Sequence, residues 1–164
     1  MKRLLSLFAF CSFSQVEGAV ISEKFLDSVA MIESNFNPNA VGDGTKARGA
    51  YQLHQGAWID ACKWLEYNDK GQFASFEWSI PTITGNWKKY AHDPVFSRVV
   101  AKGYFSLLYY RFKKRGIEPT PIQLYMAYNM GFNGASAHKF KYDSYTLDNA
   151  RTCILKRANF ILSK

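Results

Sequence analysis

Between Phe25 and Leu53 the chain reads FLDSVAMIESNFNPNAVGDGTKARGAYQL, an apolar helical pattern that closes on a glutamate and then gives way to a polar loop broken by glycines. Phe25, Val29 and Ile32 recur at i, i+4 and i+7, and Ser22 is placed to cap a helix running to about Ser34. Glu33 follows Val29 by four residues and Leu26 by seven, so it falls at the edge of that apolar stripe. Asn37-Pro38 ends the helix, because the residue before a proline is pushed out of the helical region. Gly42-Asp43-Gly44 then signals a turn, and Gly49 supplies backbone freedom ahead of Tyr51-Gln52-Leu53. The last turn of a helix disfavours negative charge, so a lone acid there is better explained by chemistry than by stability.

Outward from this stretch, the pattern stays helical. A second helix is expected from about Gly56 to Glu66, with Trp58, Cys62 and Leu65 inward, and Asn68-Asp69-Lys70-Gly71 breaks it. From Gln72 to His92 no period emerges; Trp78 and Trp87 fall in this irregular stretch and could wall a groove, although core is the commoner fate of such rings. Asp93-Pro94 pairs an N-cap with a first-turn proline and opens a long helix to about Arg115, its apolar face carrying Phe96, Val100, Tyr104, Leu107 and Leu108. Thr120-Pro121 repeats the device for a helix that ends at Gly131, with Tyr128 and Asn129 in its last turn. A final helix is expected from about Leu147 to Leu162, with Ala150, Ile154, Ala158 and Ile161 inward. The expected fold is a single compact, mainly α (α+β) domain with at most a short β element.

The totals agree with one domain: 164 residues, 48% hydrophobic and 21% charged, exclude wholesale disorder and two full-sized units. Ten Tyr, thirteen Phe and four Trp exceed what a small core needs, which leaves rings to line a groove where sugar C–H faces could stack. Lys2-Arg3 followed by the apolar run Leu4 to Phe13 and the small residues near Ala19 reads as an export signal over residues 1–19, leaving residues 20–164 as the folded domain; an apolar N-terminal helix packed on the domain is the alternative. The expected location is therefore periplasmic or secreted, with no stable membrane insertion once the signal is gone. Cleavage after Ala19 removes two cations and one anion and takes the formal charge from +8 to +7. A basic exported chain favours an anionic polymer or surface. Its cations are scattered, Lys113-Lys114-Arg115 being the only run of three, and with the export signal this speaks against nucleic acid. Cys11 leaves with the signal, so Cys62 and Cys153 either form one bridge or remain two unrelated thiols. With no CxxC and no His pair at ligand spacing, neither a metal nor any other cofactor is expected.

Three blocks carry a resemblance. Glu33-Ser34-x-Phe36-Asn37-Pro38-x-Ala40-Val41, then Ala47-Arg48-Gly49-Ala50-Tyr51-Gln52-Leu53, then Ala127-Tyr128-Asn129-Met130-Gly131 resemble, in order, the E-S-x-F-x-P-x-A, G-x-x-Q and A-Y-N-x-G blocks of the lytic transglycosylase family in the lysozyme-like superfamily. The resemblance runs from about Ser22 to Gly131 and is expected to extend to the final helix. It implies a lysozyme-like fold, peptidoglycan glycan strands as the partner, a monomer, and cleavage of the bond between N-acetylmuramic acid and N-acetylglucosamine. It also implies that Glu33 is the acid/base, that Gln52 contacts substrate with Tyr51 beside it, and that Tyr128 lies near the acid with Asn129 in the same block. Two departures stand out: Val41-Gly42-Asp43-Gly44-Thr45-Lys46 replaces a frequent serine-proline pair, and Tyr51 replaces a frequent methionine.

A glycosidic bond needs an acid for the leaving oxygen, and a carboxyl kept neutral by apolar surroundings supplies one. Hydrolysis ordinarily needs a second carboxylate. Intramolecular attack by the muramic acid 6-hydroxyl does not, so one glutamate suffices for a lytic transglycosylase. Asp43, ten residues after Glu33, is the candidate second carboxylate for a muramidase, against the plainer reading of an aspartate bonding its own turn. A peptidoglycan-binding or assembly module without turnover is the competitor from another class. Gln52 could equally bond loop backbone, and Tyr128 could be core. His54, His92 and His138 read as isolated.

Overall fold

A computed structural model describes residues 20–68, 84–142 and 149–164, and among them seven α-helices surround one small three-stranded sheet. Helix α1, Glu23–Ser34, starts where Ser22 accepts a hydrogen bond from the Phe25 amide at 3.2 Å. It stops at Asn35, whose left-handed φ of 54° turns the Asn35 amide to the Met31 carbonyl and the Phe36 amide to the Ala30 carbonyl. Phe25, Leu26, Val29 and Ala30 are buried, whereas Ile32, expected on the same stripe, is only partly so.

The loop that follows is a short antiparallel sheet. Strand β1 (Val41–Gly42) pairs with β2 (Ala47–Arg48), Val41 opposite Arg48, and β2 pairs with β3 (Leu53–His54), Ala47 opposite His54. A 3-10 turn, Asp43–Thr45, joins the first two, and Asp43, Gly44 and Thr45 all take positive φ. Gly49 links the last two strands at φ 74°, where a Cβ would stand 1.7 Å from the Ala91 carbonyl oxygen. Only glycine fits both the angle and the space. Across this junction the Pro38 carbonyl lies 2.8 Å from His92 Nδ1, which must then be the protonated nitrogen, leaving Nε2 to face Arg48 Nη1 at 3.5 Å.

Helix α2, Gln55–Asn68, buries Trp58, Ala61, Cys62 and Leu65. A short helix α3, Trp87–Tyr90, falls in the stretch expected to be irregular, and Trp87 is 5% exposed, so it packs as core and does not wall a groove. Trp78 lies outside the described residues. Helix α4, Pro94–Lys113, begins where the Asp93 carboxylate accepts from the amides of Val95 and Phe96. It runs through the centre of the molecule, with Phe105, Leu108, Tyr109 and Phe112 fully buried, while Phe96 and Leu107 are only partly so. It approaches α2 closely because Gly103 has no side chain: a Cβ there would sit 2.5 Å from Leu65 Cγ.

Helix α5, Pro121–Met130, opens with a full capping box between Thr120 and Gln123. Gly131 turns the chain into a further helix, α6, Phe132–Ala137, which the sequence pattern did not announce. Helix α7, Asn149–Leu162, closes the described fold. Its buried residues are Thr152, Leu155 and Ala158, so Ile154, expected inward, instead is 43% exposed. The helix is rotated so that Leu155 shares the core stripe with Ala158. The expected start at Leu147 and the side chain of Ala150 lie outside the described residues.

Cys62 and Cys153 are free thiols, one buried and the other exposed, so the bridge is not formed. Burial pushes the Cys62 thiol up to about 11, against a lowering hydrogen bond with Thr84, which makes it a core side chain rather than a nucleophile. The mainly helical fold matches the expectation from the sequence. Among the described residues no helix is long and apolar enough to cross a membrane, and no group of three or more His, Cys, Asp or Glu is placed to hold a metal.

Candidate active site

A cleft of about 650 Å³ opens between the end of α1, the sheet, α5 and the first turns of α7. Glu33, Asp43, Gln52, Tyr128 and Asn129 all line it. Elements far apart in sequence therefore bring five of the six residues singled out from the sequence to one surface.

Glu33 comes from the last turn of α1, where the helix axis and the left-handed turn at Asn35 fix its direction. The neighbouring Ser34 hydroxyl donates to the Ala50 carbonyl at 2.8 Å and ties the helix end to the G-A-Y-Q-L strip. Loss of water around the Glu33 carboxyl raises its pKa from 4.5 to about 7, and the hydrogen bond that it accepts from the Tyr125 hydroxyl at 2.8 Å opposes the rise. The acid is thus neutral in a substantial fraction of molecules at neutral pH, as a proton donor requires.

Tyr125 was not singled out from the sequence. It sits three residues before Tyr128 on α5, the spacing that stacks side chains on one helix face, and that spacing was the available signal. It is buried, and burial followed by the Glu33 charge pushes its hydroxyl far above the usual tyrosine range, so it remains a donor. Asn129, one turn after Tyr125, hydrogen-bonds that tyrosine and lines the cleft.

Tyr128 plays a different part. Its ring stacks on Phe105 with centroids 4.6 Å apart and planes 10° from parallel, and its hydroxyl donates to the Tyr51 carbonyl. Burial keeps that hydroxyl protonated. Tyr128 therefore pins the strip that carries Gln52, while Tyr125 holds the acid. Tyr51 is a correction: only 3% exposed, it lies behind the cleft, where its hydroxyl accepts from Arg98 Nη1 at 3.1 Å. Arg98 also grips Glu23 and Asp27 at 2.7 and 2.6 Å, which locks the first two turns of α1 onto α4. The large ring at position 51 fills core and anchors that clamp; it does not line the cleft.

Gln52 lines the cleft from a left-handed backbone (φ 48°). Its Nε2 donates to the Gly49 carbonyl at 2.9 Å, and its Oε1 lies so near Gly42 that a Cβ there would come within 2.3 Å. The loop-bonding and cleft-lining readings of Gln52 both hold. Asp43 faces the cleft across from α5, and its Oδ2 is 3.2 Å from His54 Nε2. His54 is therefore not isolated, an outcome visible only once β1 and β3 are placed on either side of β2. Arg151 and Ile154 of α7 complete the lining. Neither was marked for this role, since Ile154 read as core.

The sequence profile described as Transglycosylase SLT domain matches residues 10–149. No curated protein and no solved structure matches the chain significantly.

Proposed function

Because the chain belongs to the Transglycosylase SLT domain family, whose enzymes cleave peptidoglycan, we propose that it cuts the bond between N-acetylmuramic acid and N-acetylglucosamine as a lytic transglycosylase, with Glu33 as acid and then base. The observation that carries this reading is the Glu33 carboxyl itself, raised to about 7 by burial and held by Tyr125 at the wall of a cleft of sugar-binding size.

The chemistry closes on one carboxyl. Protonated Glu33 gives its proton to the glycosidic oxygen as the bond from that oxygen to C1 of the muramic acid breaks. The resulting carboxylate takes the proton of the 6-hydroxyl while O6 bonds to C1 of the same sugar. The products are a 1,6-anhydro end and a free glucosamine 4-hydroxyl, no water is consumed, and the acid is restored. Holding the nucleophile within the reacting sugar removes the entropic cost of capturing a second molecule. Tyr125, protonated throughout, orients the carboxyl in both forms.

Hydrolysis is the second reading, favoured by one observation: Asp43 lines the same cleft as Glu33. Its contact with His54 and its place in a turn of consecutive positive φ values fit a wall residue better than a base. Mass spectrometry of released muropeptides tests the assignment. Anhydro ends lack one water relative to reducing ends, and reducing ends alone would establish hydrolysis. No release by the parent, with sedimentation on purified sacculi retained, would leave a binding module.

Peptidoglycan lies outside the cytoplasm, which supports export through residues 1–19; the matched span begins at residue 10, inside that stretch. An exported protein whose N-terminal residue is Val20 is the expected outcome of sequencing. The enzyme works as a monomer and needs no cofactor.

A further inference from the structure

The cations of this chain, scattered in sequence, are gathered by the fold at one end of α4. Between Tyr109 and Asp143 there are six of them against two acids, a net of +4 and half the formal charge of the whole chain. Arg111 faces Asp60 at 3.6 Å; the other five are presented by two elements. Lys113, Lys114 and Arg115 stand where α4 ends, and Lys139 and Lys141 flank the turn after α6. Buried rings bring the two elements together, Phe112 lying 4.5 Å from Phe140 and 5.0 Å from Phe132 between centroids. The Arg115 guanidinium covers the Phe132 ring at 4.7 Å and donates to the Ser136 hydroxyl at 2.6 Å, which stitches α4 to α6. Lys139 and Phe140 both take positive φ, 53° and 54°, a conformation unfavourable for any residue but glycine. Burial of Phe140 against Phe112 and Phe132 holds the turn there and leaves Lys139 and Lys141 exposed on either side of it. Glu118, the acid of this end among the described residues, is taken up by Lys113 and Tyr109. The negative end of the α4 dipole accounts for cations in its own last turn, but not for the pair that follows α6. None of the five lines the cleft that holds Glu33 or the smaller cavity between α1, α2 and α4.

Long cationic side chains set on two elements recognise a density of negative charge, not a stereochemical pattern. A plane of phosphates meets both elements at once. Single-stranded nucleic acid would call for open rings on which bases stack, whereas Phe112, Phe132 and Phe140 are buried and the Tyr110 ring lies under Lys114. We propose that the end of the molecule carrying Lys113, Lys114, Arg115, Lys139 and Lys141 docks reversibly on the phosphate headgroups of an anionic membrane surface. Docking there leaves the cleft uncovered. The inference does not rest on the cleavage reading, since partition onto lipid is measured without glycan.

The experiment measures partition of the exported protein onto vesicles of phosphatidylglycerol mixed with phosphatidylcholine, and onto phosphatidylcholine alone. The parent should favour the anionic vesicles by about tenfold or more and be released from them by molar salt. Each lysine at such a surface is worth about fivefold, so the triple variant Lys114→Gln, Lys139→Gln, Lys141→Gln should bind about a hundredfold more weakly. A matched triple, Lys24→Gln, Lys46→Gln, Lys88→Gln, removes as much charge from exposed lysines of other elements and should lose less than about tenfold. All three proteins share one N-terminus, so the substituted lysines are the only difference. Should the first triple melt below the parent, Lys141→Gln alone takes its place, with a loss of about fivefold. Equal losses in the two triples would assign binding to overall charge and overturn the patch, as would equal partition of the parent onto both kinds of vesicle. Binding to soluble polyphosphate as tight, phosphate for phosphate, as to the vesicles would overturn the bilayer as its partner. Both triples should release muropeptides from sacculi at the parental rate. A parent that releases none would overturn the cleavage reading and leave the docking surface standing.

Discussion

Tyr125 donates its hydroxyl to Glu33 Oε1 at 2.8 Å across 92 residues of chain, while its neighbour one turn on, Tyr128, points to the Tyr51 carbonyl instead. Two tyrosines on one helix face thus divide the work: one sets the acid, the other sets the strip opposite. Their separate removal should therefore have separate signatures.

The first signature is in pH. The proton that does the work is present below the Glu33 pKa of about 7, so kcat/KM should be level on the acid side and fall about tenfold per pH unit above it. Tyr125 favours the ionised carboxyl, and Tyr125→Phe should move the break to higher pH while costing about 1 kcal/mol of stability for the lost hydrogen bond. A pH–rate profile that breaks at the same place in both proteins would remove Tyr125 from the mechanism.

Glu33→Gln should abolish release of muropeptides, with a loss on the order of a thousandfold for a missing general acid. It should also alter stability in a pH-dependent way. Glu33 binds its proton more tightly folded than unfolded, so the stability from that proton is complete below pH 4.5 and is lost as pH rises to about 7. The glutamine has no such loss. Thermal melting should place the variant level with the parent at pH 4 and above it at pH 8, by at most ~3 kcal/mol. A variant that melts lower than the parent at pH 8 would show that the carboxylate is not desolvated.

Asp43→Asn separates the two chemistries. Its effect on a lytic transglycosylase should be less than tenfold, with anhydro ends still formed, whereas loss of a base in a muramidase would reach a hundredfold or more. Product masses and rates from one digest of sacculi decide between them.

Gly49→Ala should be the most damaging small change in the sheet, because the added carbon meets the Ala91 carbonyl at 1.7 Å and the φ of 74° is itself unfavourable. A destabilisation above about 3 kcal/mol is expected from chemical denaturation. Gly44→Ala isolates the angle from the clash: φ is 57° but nothing lies within 4 Å, and the cost should stay near ~1 kcal/mol. Equal midpoints for the two variants would refute the close approach at Ala91.

The helices were legible because their signals are local. Ser22, Asp93-Pro94 and Thr120-Pro121 mark helix starts by side-chain hydrogen bonds or proline geometry, and each start was found where those residues predicted it. Glu33 and Gln52 were found through their blocks, and the cleft contains both. What escaped depends on chain-distant packing. Tyr125 is one more apolar position on α5 until α1 is laid beside it, and His54 is one more histidine until β1 returns to within reach. Tyr51 lies behind the cleft because a place next to Gln52 in sequence does not fix direction: the chain turns there, with Gln52 in a left-handed backbone (φ 48°), and sends the two side chains apart. Ile154 went wrong because a four-residue apolar spacing fits two neighbouring rotations of a helix equally well, and only Leu155 and Thr152 in the core choose between them.

The clamp of Arg98 on Glu23, Asp27 and Tyr51 has a bearing on how such an enzyme can diversify. It fastens the helix that carries Glu33 at its opposite end, and does so with residues that lie outside the cleft. The opposite bank is contributed by two-residue strands and by a terminal helix. Mutation can therefore redraw that bank of the cleft while the Glu33 carboxyl keeps its setting, so a change on one wall does not have to disturb the other.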